Sequence, residues 1–275
     1  MKLNNLGKTL YPIVLVHGIG FRDNKYLNYW GRIPKSLESL GATIFYGNQD
    51  SWGSVKGNAQ TLKTTIERIL IEEKVDKVNI IAHSKGGIDA RYMISSLEMA
   101  PFVSSLTTIA SPHHGSKAID VLSKFPKILI KLAGFFVNLW FRILGDKNPD
   151  FLSTIDLLNT KTMEEFNLEN KDIEGVYYQS FGFQMKRSFS DIFLFFTHAI
   201  IKIIDGDNDG IVSMNSSVWT NFHGPLTGQN WRGVSHLDEV DFRRMNFRKK
   251  NNKSGITDIR EVYIEIIKDL KAMNF

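Results

Sequence analysis

Residues 77–92 read KVNIIAHSKGGIDARY, and the junction inside this stretch decides the fold. The apolar run VNIIA stops abruptly at His83-Ser84-Lys85-Gly86-Gly87, and IDARYMISSL (88–97) then takes on helical character. A buried strand that turns directly into a helix has the form of a nucleophile elbow, in which a strained turn raises the serine hydroxyl at the strand's C-terminal end. Such a turn brings two backbones together and needs small residues two before and two after the serine. Ala82 and Gly86 meet that need, and Gly87 completes the glycine pair. The helix behind Ser84 adds free N–H donors and a positive dipole end. A plain helix cap is the simpler reading of a strand-Ser-helix junction, but it does not require the small flanking residues.

Working outward, strand-like and helix-like stretches alternate. YPIVLVHG (11–18), ATIFYG (42–47), LTTIASP (106–112), VYYQSFG (176–182) and WTNF (219–222) read as strands. GNAQTLKTTIERILIEEK (57–74) and ITDIREVYIEIIKDLKAM (256–273), the latter capped by Thr257, read as helices. This alternation predicts a single α/β domain over residues 1–275, with a mostly parallel sheet covered by helices on both faces.

Two stretches break the rhythm. SKFPKILIKLAGFFVNLWFRILG (123–145) begins a helix near Pro126 and ends it at Gly145. Lys127, Lys131, Asn138 and Arg142 share one face, while Ile128, Leu132, Phe135, Phe136, Leu139, Trp140 and Ile143 form an apolar arc. SFSDIFLFFTHAIIKII (188–204) is a second such stretch, within an apolar helical insertion over 183–204. Two core helices of a large domain would account for both stretches.

Composition narrows the classes. With 275 residues, 43% hydrophobic and 23% charged, the chain is globular rather than disordered. The absence of cysteine excludes disulfides, thiolate metal sites and a cysteine nucleophile. A net charge of +5 suits anionic membrane surfaces or simply a lysine-rich exterior. Lys249, Lys250 and Lys253 read as a solvated basic loop, and no nucleic-acid partner is expected. The N-terminal residues lack the long apolar region and cleavage site of a secretory signal, which predicts a cytoplasmic or already mature form. No run of 18 uncharged apolar residues predicts a membrane span.

An elbow serine needs a base. In this fold the order is serine, acid, histidine, so His17 and His83 are excluded, and His113 and His114 leave no room for an acid. His236, in GVSHLDEVDF (233–242), is the favoured base. His223, beside Gly224-Pro225, is its rival and reads more simply as a turn residue. The acid is sought in IIDGDNDGIVSM (203–214), with Asp209 favoured over Asp207. Asp205, Asp207 and Asp209-Gly210 mimic half an EF-hand loop, but Ser216 stands where the bidentate Glu is required. For an oxyanion hole, the N–H of Lys85 and, from His17-Gly18-Ile19-Gly20 after the first strand, that of Ile19 are the expected donors.

At this point the chain resembles the bacterial triacylglycerol lipases of the α/β-hydrolase superfamily, of Pseudomonas and staphylococcal type. The resemblance rests on YPIVLVHGIGF (11–21), AHSKGG (82–87), TIASPHHGS (108–116), DLLNTKTMEEFN (156–167), VYYQSFG (176–182), DGIVS (209–213) and SHLDEVD (235–241), in family order. It implies an α/β-hydrolase fold and ester hydrolysis by Ser84, Asp209 and His236 without a catalytic cofactor. It further implies lipid or ester substrates met at a lipid–water interface, and a helical lid over residues 117–150. Ala82 replaces the first elbow glycine, and Lys85 stands where Gln or Met is commoner. Many such lipases hold a structural calcium. Asp238 matches one ligand position, but the next falls on Phe242, which cannot bind a metal ion. The zinc ligands of the staphylococcal branch have no counterpart. Phospholipase, thioesterase or acyltransferase activity on the same triad is the alternative, and a non-catalytic lipid-binding module a more distant one.

Overall fold

A computed structural model describes residues 5–23, 28–248 and 254–275. The basic cluster Lys249, Lys250 and Lys253 lies outside the described residues. The first half alternates regularly: β1 (Ile13–Val16), α1 (Ile33–Glu38), β2 (Ile44–Tyr46), α2 (Val55–Glu73), β3 (Val78–His83), α3 (Lys85–Ser96) and β4 (Val103–Ile109). Four helices follow: α4 (Lys117–Leu122), α5 (Lys127–Ile143), α6 (Phe151–Leu157) and α7 (Thr160–Glu169). The chain then returns through β5 (Tyr177–Phe183), α8 (Phe195–Ile204), α9 (Met214–Ser217), β6 (Phe222–Leu226) and α10 (Ile259–Ala272).

The strands form one parallel sheet in the order β2-β1-β3-β4-β5-β6. Successive side chains of a strand point to opposite faces, and the core divides accordingly. Ile13, Leu15 and Ile81 face one layer with Trp30, Ile33, Leu37 and, from α10, Tyr263, Ile266 and Ile267. Val14, Val16, Ile80 and Ala82 face the other with Leu62, Ile66 and Ile69 of α2 and Met93 of α3. Every residue of β1, β3 and β4 is buried. Covered on both faces, these strands need continuous apolar runs rather than alternation. The arrangement is the α/β-hydrolase fold expected from the elbow.

Local expectations fail in three places. β6 starts at Phe222, so His223, Gly224 and Pro225 lie in an edge strand and not in a turn. Proline is tolerated there because an edge strand leaves some N–H positions without a ladder partner. The last helix is capped by Asp258, whose carboxylate accepts the Arg260 N–H, while Thr257 bonds Glu261 instead. Most consequentially, the apolar helices are not core. Gly134 is the one buried residue of α5, and Ile128, Phe135, Trp140 and Ile143 are 59–71% exposed. The face that packs runs beside the polar stripe, through Ile130, Gly134, Val137, Asn138 and Phe141. Gly134 lets α5 approach α6 closely, since a Cβ there would meet Phe151 Cδ1 at 2.9 Å. Asn138 Oδ1 accepts the Phe151 N–H at the start of α6 (2.9 Å). Lys127, Lys131 and Arg142 remain exposed. Among the described residues no helix is long and apolar enough to cross a membrane.

Candidate active site

Ser84 stands between the last residue of β3 and the first of α3, with φ 54° and ψ −133°. Few non-glycine residues hold this conformation, which costs roughly 1–3 kcal/mol and persists only where the surroundings enforce it. Here the enforcement is steric and visible. A Cβ on Gly86 would meet His17 O at 2.4 Å and Val16 O at 2.7 Å, and one on Gly87 would meet Ser111 Oγ at 2.1 Å. A Cβ on Gly18 would meet Ser84 Cβ at 2.7 Å, so the loop after β1 lies directly against the serine. Lys85 opens α3, where an N–H has no acceptor within the helix. The two expected oxyanion segments therefore flank Ser84.

The favoured acid and base meet. His236 Nδ1 lies 2.8 Å from Asp209 Oδ2. A carboxylate only accepts, so Nδ1 carries the proton and Nε2 is left as the basic nitrogen. Asp209 is held from its other side. Its Oδ1 accepts the N–H groups of Ile211 and Val212, both at 2.8 Å, and its carbonyl accepts the His236 N–H at 2.9 Å. Asp207 points elsewhere, ion-paired with Lys202 at the surface. His223 stacks on Phe181 at the sheet edge. The His236 ring comes within 4.4 Å (centroids) of His83, the neighbour of Ser84. Among the described residues Ser84 Oγ has no hydrogen bond to His236, and such bonds often tighten only once substrate is bound.

Beneath the pair lies a polar network that sequence reasoning missed. Tyr29 accepts the Gly18 N–H (3.1 Å) and lies 2.7 Å from His83 Nδ1. Burial pushes the Tyr29 phenol up, so it keeps its proton and donates it to His83. His83 Nε2 then donates to Glu239 Oε2 at 2.9 Å, and burial holds this imidazole well below its ordinary range, hence neutral. Glu239 is fully buried, and its Oε2 is also 3.4 Å from His236 Nδ1. Burial, and then repulsion from Asp209, push its carboxyl well above the usual range. The only sequence signal for Glu239 was its place three residues after His236.

His83, His236 and Glu239 offer three ligand atoms within 4.8 Å of one another, but the hydrogen bonds above already account for them. The calcium position implied by the resemblance fits less well still. Asp238 is buried, and Arg243 Nη1 lies 3.8 Å from its Oδ1 while Nη2 pairs with Asp191. A guanidinium stands where a cation would bridge the two carboxylates, and the Phe242 side chain brings no oxygen. The donor set does not fit a calcium ion.

Lys85 contributes more than its N–H. Its buried ammonium donates to both Asp89 oxygens at 2.7 and 2.9 Å, one turn along α3, and Asn58 Nδ2 donates to Asp89 at 2.8 Å. Burial pushes the Asp89 carboxyl up against the pull of Lys85. A cleft of about 370 Å³ lined by Lys77, Glu98 and Glu174 lies at the opposite, N-terminal ends of β3–β5, away from Ser84.

Residues 12–148 match the palmitoyl protein thioesterase family model. The chain is 28% identical over 270 residues to triacylglycerol lipase 2 of Saccharomyces cerevisiae, covering 92% of this chain and 78% of that one. It is 31% identical over 173 residues to a triacylglycerol lipase of Pseudarthrobacter phenanthrenivorans, covering 58% of this chain and about half (53%) of the relative. The Staphylococcus hyicus lipase structure superposes with a TM-score of 0.66 at 17% identity over 98% of both chains, a likeness of fold. These likenesses bear out the resemblance read from the motifs.

Proposed function

We propose that this carboxylic ester hydrolase, a relative of the bacterial triacylglycerol lipases, cleaves lipid esters through Ser84, His236 and Asp209 by way of an acyl-enzyme. The observation that carries the reading is the 2.8 Å bond from His236 Nδ1 to a buried Asp209, beside a serine held at positive φ. His236 Nε2 removes the Ser84 proton as Oγ attacks the ester carbonyl. Asp209 orients the imidazole and stabilises its charged form. The N–H groups of Ile19 and Lys85 receive the developing oxyanion, each worth roughly 3–4 kcal/mol in such sites. The imidazolium then gives its proton to the leaving alcohol. Water, deprotonated by the same nitrogen, releases the acid. No step calls for a metal.

The apolar arc of α5 and the exposed Phe193, Phe196 and Ile203 around α8 supply a contact surface for lipid. In water, leaving such side chains exposed forgoes roughly 1.5–3 kcal/mol each relative to burial. A lipid surface removes that cost, and the exposed Lys127, Lys131 and Arg142 suit anionic headgroups. Residues 117–150 in this reading form a lid whose position a lipid surface biases.

A fluorophosphonate probe tests the nucleophile: the wild type should be labelled and Ser84→Ala should not. Labelling of Ser84→Ala would move the nucleophile elsewhere, and no labelling of the wild type would favour a non-catalytic lipid-binding module. The thioesterase family match supports one second reading, a thioester as substrate, which shares every step up to the leaving group. Matched oxyester and thioester pairs of one acyl chain decide between them. The leaving group with the higher kcat/KM marks the substrate class.

A further inference from the structure

The loop carrying Ile19 is tied to the far end of α5 through a short chain of hydrogen bonds. Gly20 donates its N–H to Ser51 Oγ at 2.8 Å. Ser51 and Trp52 in turn donate their N–H groups to the two oxygens of Asp146, each at 2.9 Å. Asp146 lies three residues beyond the last residue of α5, and its side chain is 1% exposed. The arrangement is reciprocal, for Asp50 accepts the N–H groups of Lys147 (2.9 Å) and Asn148 (2.7 Å). Arg22, two residues past Gly20, spans the same junction: it donates to Gly145 O and lies 3.4 Å from Asp50 and 3.8 Å from Asp146. The other root of the inserted helices is held differently. On α4, Asp120 accepts the Thr160 N–H (2.9 Å) and hydroxyl (2.7 Å), and among the described residues it has no bond toward Gly20.

We propose that Asp146 is a positioning residue for the oxyanion loop: through Ser51 it fixes the Gly20 amide, and so the aim of the neighbouring Ile19 N–H at the substrate carbonyl. The C-terminal root of α5 and the oxyanion hole then form one mechanical unit, whereas the N-terminal root at Asp120 is free to move without disturbing catalysis. Gly20, at φ 118°, has nothing within 4 Å of a Cβ position, so side-chain packing does not hold this residue and the Ser51 bond does. An oxyanion donor acts through its distance from the charge that develops, so a loosened loop lowers kcat more than it alters ground-state binding.

This inference rests on the ester-hydrolase reading, and the wild type's turnover of a soluble ester such as p-nitrophenyl butyrate tests that reading separately. Given that activity, Asp146→Asn and Ser51→Ala should each lower kcat about tenfold with KM changed less than about twofold, a fraction of the loss on deleting a donor outright. The double variant should be no worse than the worse single one, since both cut the same chain. Asp120→Asn, an equivalent change at the opposite root, should keep wild-type kcat. Wild-type kcat in Ser51→Ala, an equal loss in Asp120→Asn, or losses that multiply in the double variant would each overturn the proposal. If Asp146→Asn does not fold, Ser51→Ala against Asp120→Asn decides alone.

Discussion

The histidine loop and helix α5 solve opposite problems. Around His236, charged and polar groups are buried: Asp209, Asp238, Glu239 and Asp241 are each at most 3% exposed. Around α5, apolar groups lie outside: seven arc residues from Ile128 to Ile143 are 48–71% exposed. Burying a charge is costly unless it is paired or neutralised, and the loop meets that condition throughout. Asp209 has two amides and an imidazole, Asp241 has Arg32 at 2.6 Å, Asp238 and Asp191 share Arg243, and burial pushes the Glu239 carboxyl toward its neutral form. Nothing in water compensates the α5 arc. The first region finds its partners within the fold; in the proposed reading the second finds its partner in a lipid surface.

The sharpest way to break this contrast is at the triad. Ser84→Ala should lower p-nitrophenyl ester turnover by at least ~10⁴-fold, and Asp209→Asn by roughly 10³–10⁴-fold, with unchanged far-UV dichroism. Asp207→Asn, altering only a surface pair with Lys202, should stay within about twofold of wild type. Equal damage from Asp207 and Asp209 would remove the acid from the assignment.

Next in size is the built-in cation. Arg243→Ala leaves Asp191 and Asp238 buried without their guanidinium and should cost about 3 kcal/mol, lowering Tm by several degrees. Chelators, by contrast, should leave the wild-type Tm within about 1 °C, because the site's positive charge is covalent. A large drop on chelation, reversed by calcium, would show that the loop is not self-sufficient.

The third effect belongs to α5. Phe136→Ser with Trp140→Ser should reduce activity on emulsified triglyceride about tenfold more than activity on a soluble butyrate ester, since less apolar area is left to enter the interface. Equal losses on both substrates would return the helix to an ordinary structural role.

The smallest effect sharpens the loop. Glu239 holds its proton in the folded chain well above the ordinary value of 4.5, where the unfolded chain has released it. The folded state then binds more protons, so stability falls as pH rises from about 4.5 toward the raised value. Glu239→Gln mimics the protonated carboxyl and should flatten this part of the Tm–pH profile while retaining most ester turnover. An unaltered profile would mean that Glu239 takes up no extra proton on folding.

Legibility followed the range of the interaction involved. Ser84, Gly86 and Gly87 were readable because the elbow's demands fall within a few residues of chain. Asp209 and His236 were readable through their order and loop context, although 27 residues separate them. Glu239 and Tyr29 were not, because their roles arise 156 and 54 residues from His83. Phe242 foretold a poor calcium site, yet no pattern announced that Arg243 would turn inward. Helix α5 was legible at its bounds, but not that its covered face would be the one holding Gly134 and Asn138 while the apolar arc stays open.

From sequence alone follow the parallel sheet, the elbow turn at Ser84, the meeting of Asp209 with His236 and the apolar helix α5. Each depends on period, on turn chemistry or on the steric needs of neighbours in the chain. Tertiary structure alone decided which face of α5 is covered, that burial favours the neutral form of the Glu239 carboxyl beside His236, and which cation answers Asp191 and Asp238. Those outcomes depend on what the rest of the chain brings within a few ångströms. A hydrophobic pattern states that a face avoids water but not what will cover it, and the charge on a buried carboxyl is set by neighbours that only folding assembles.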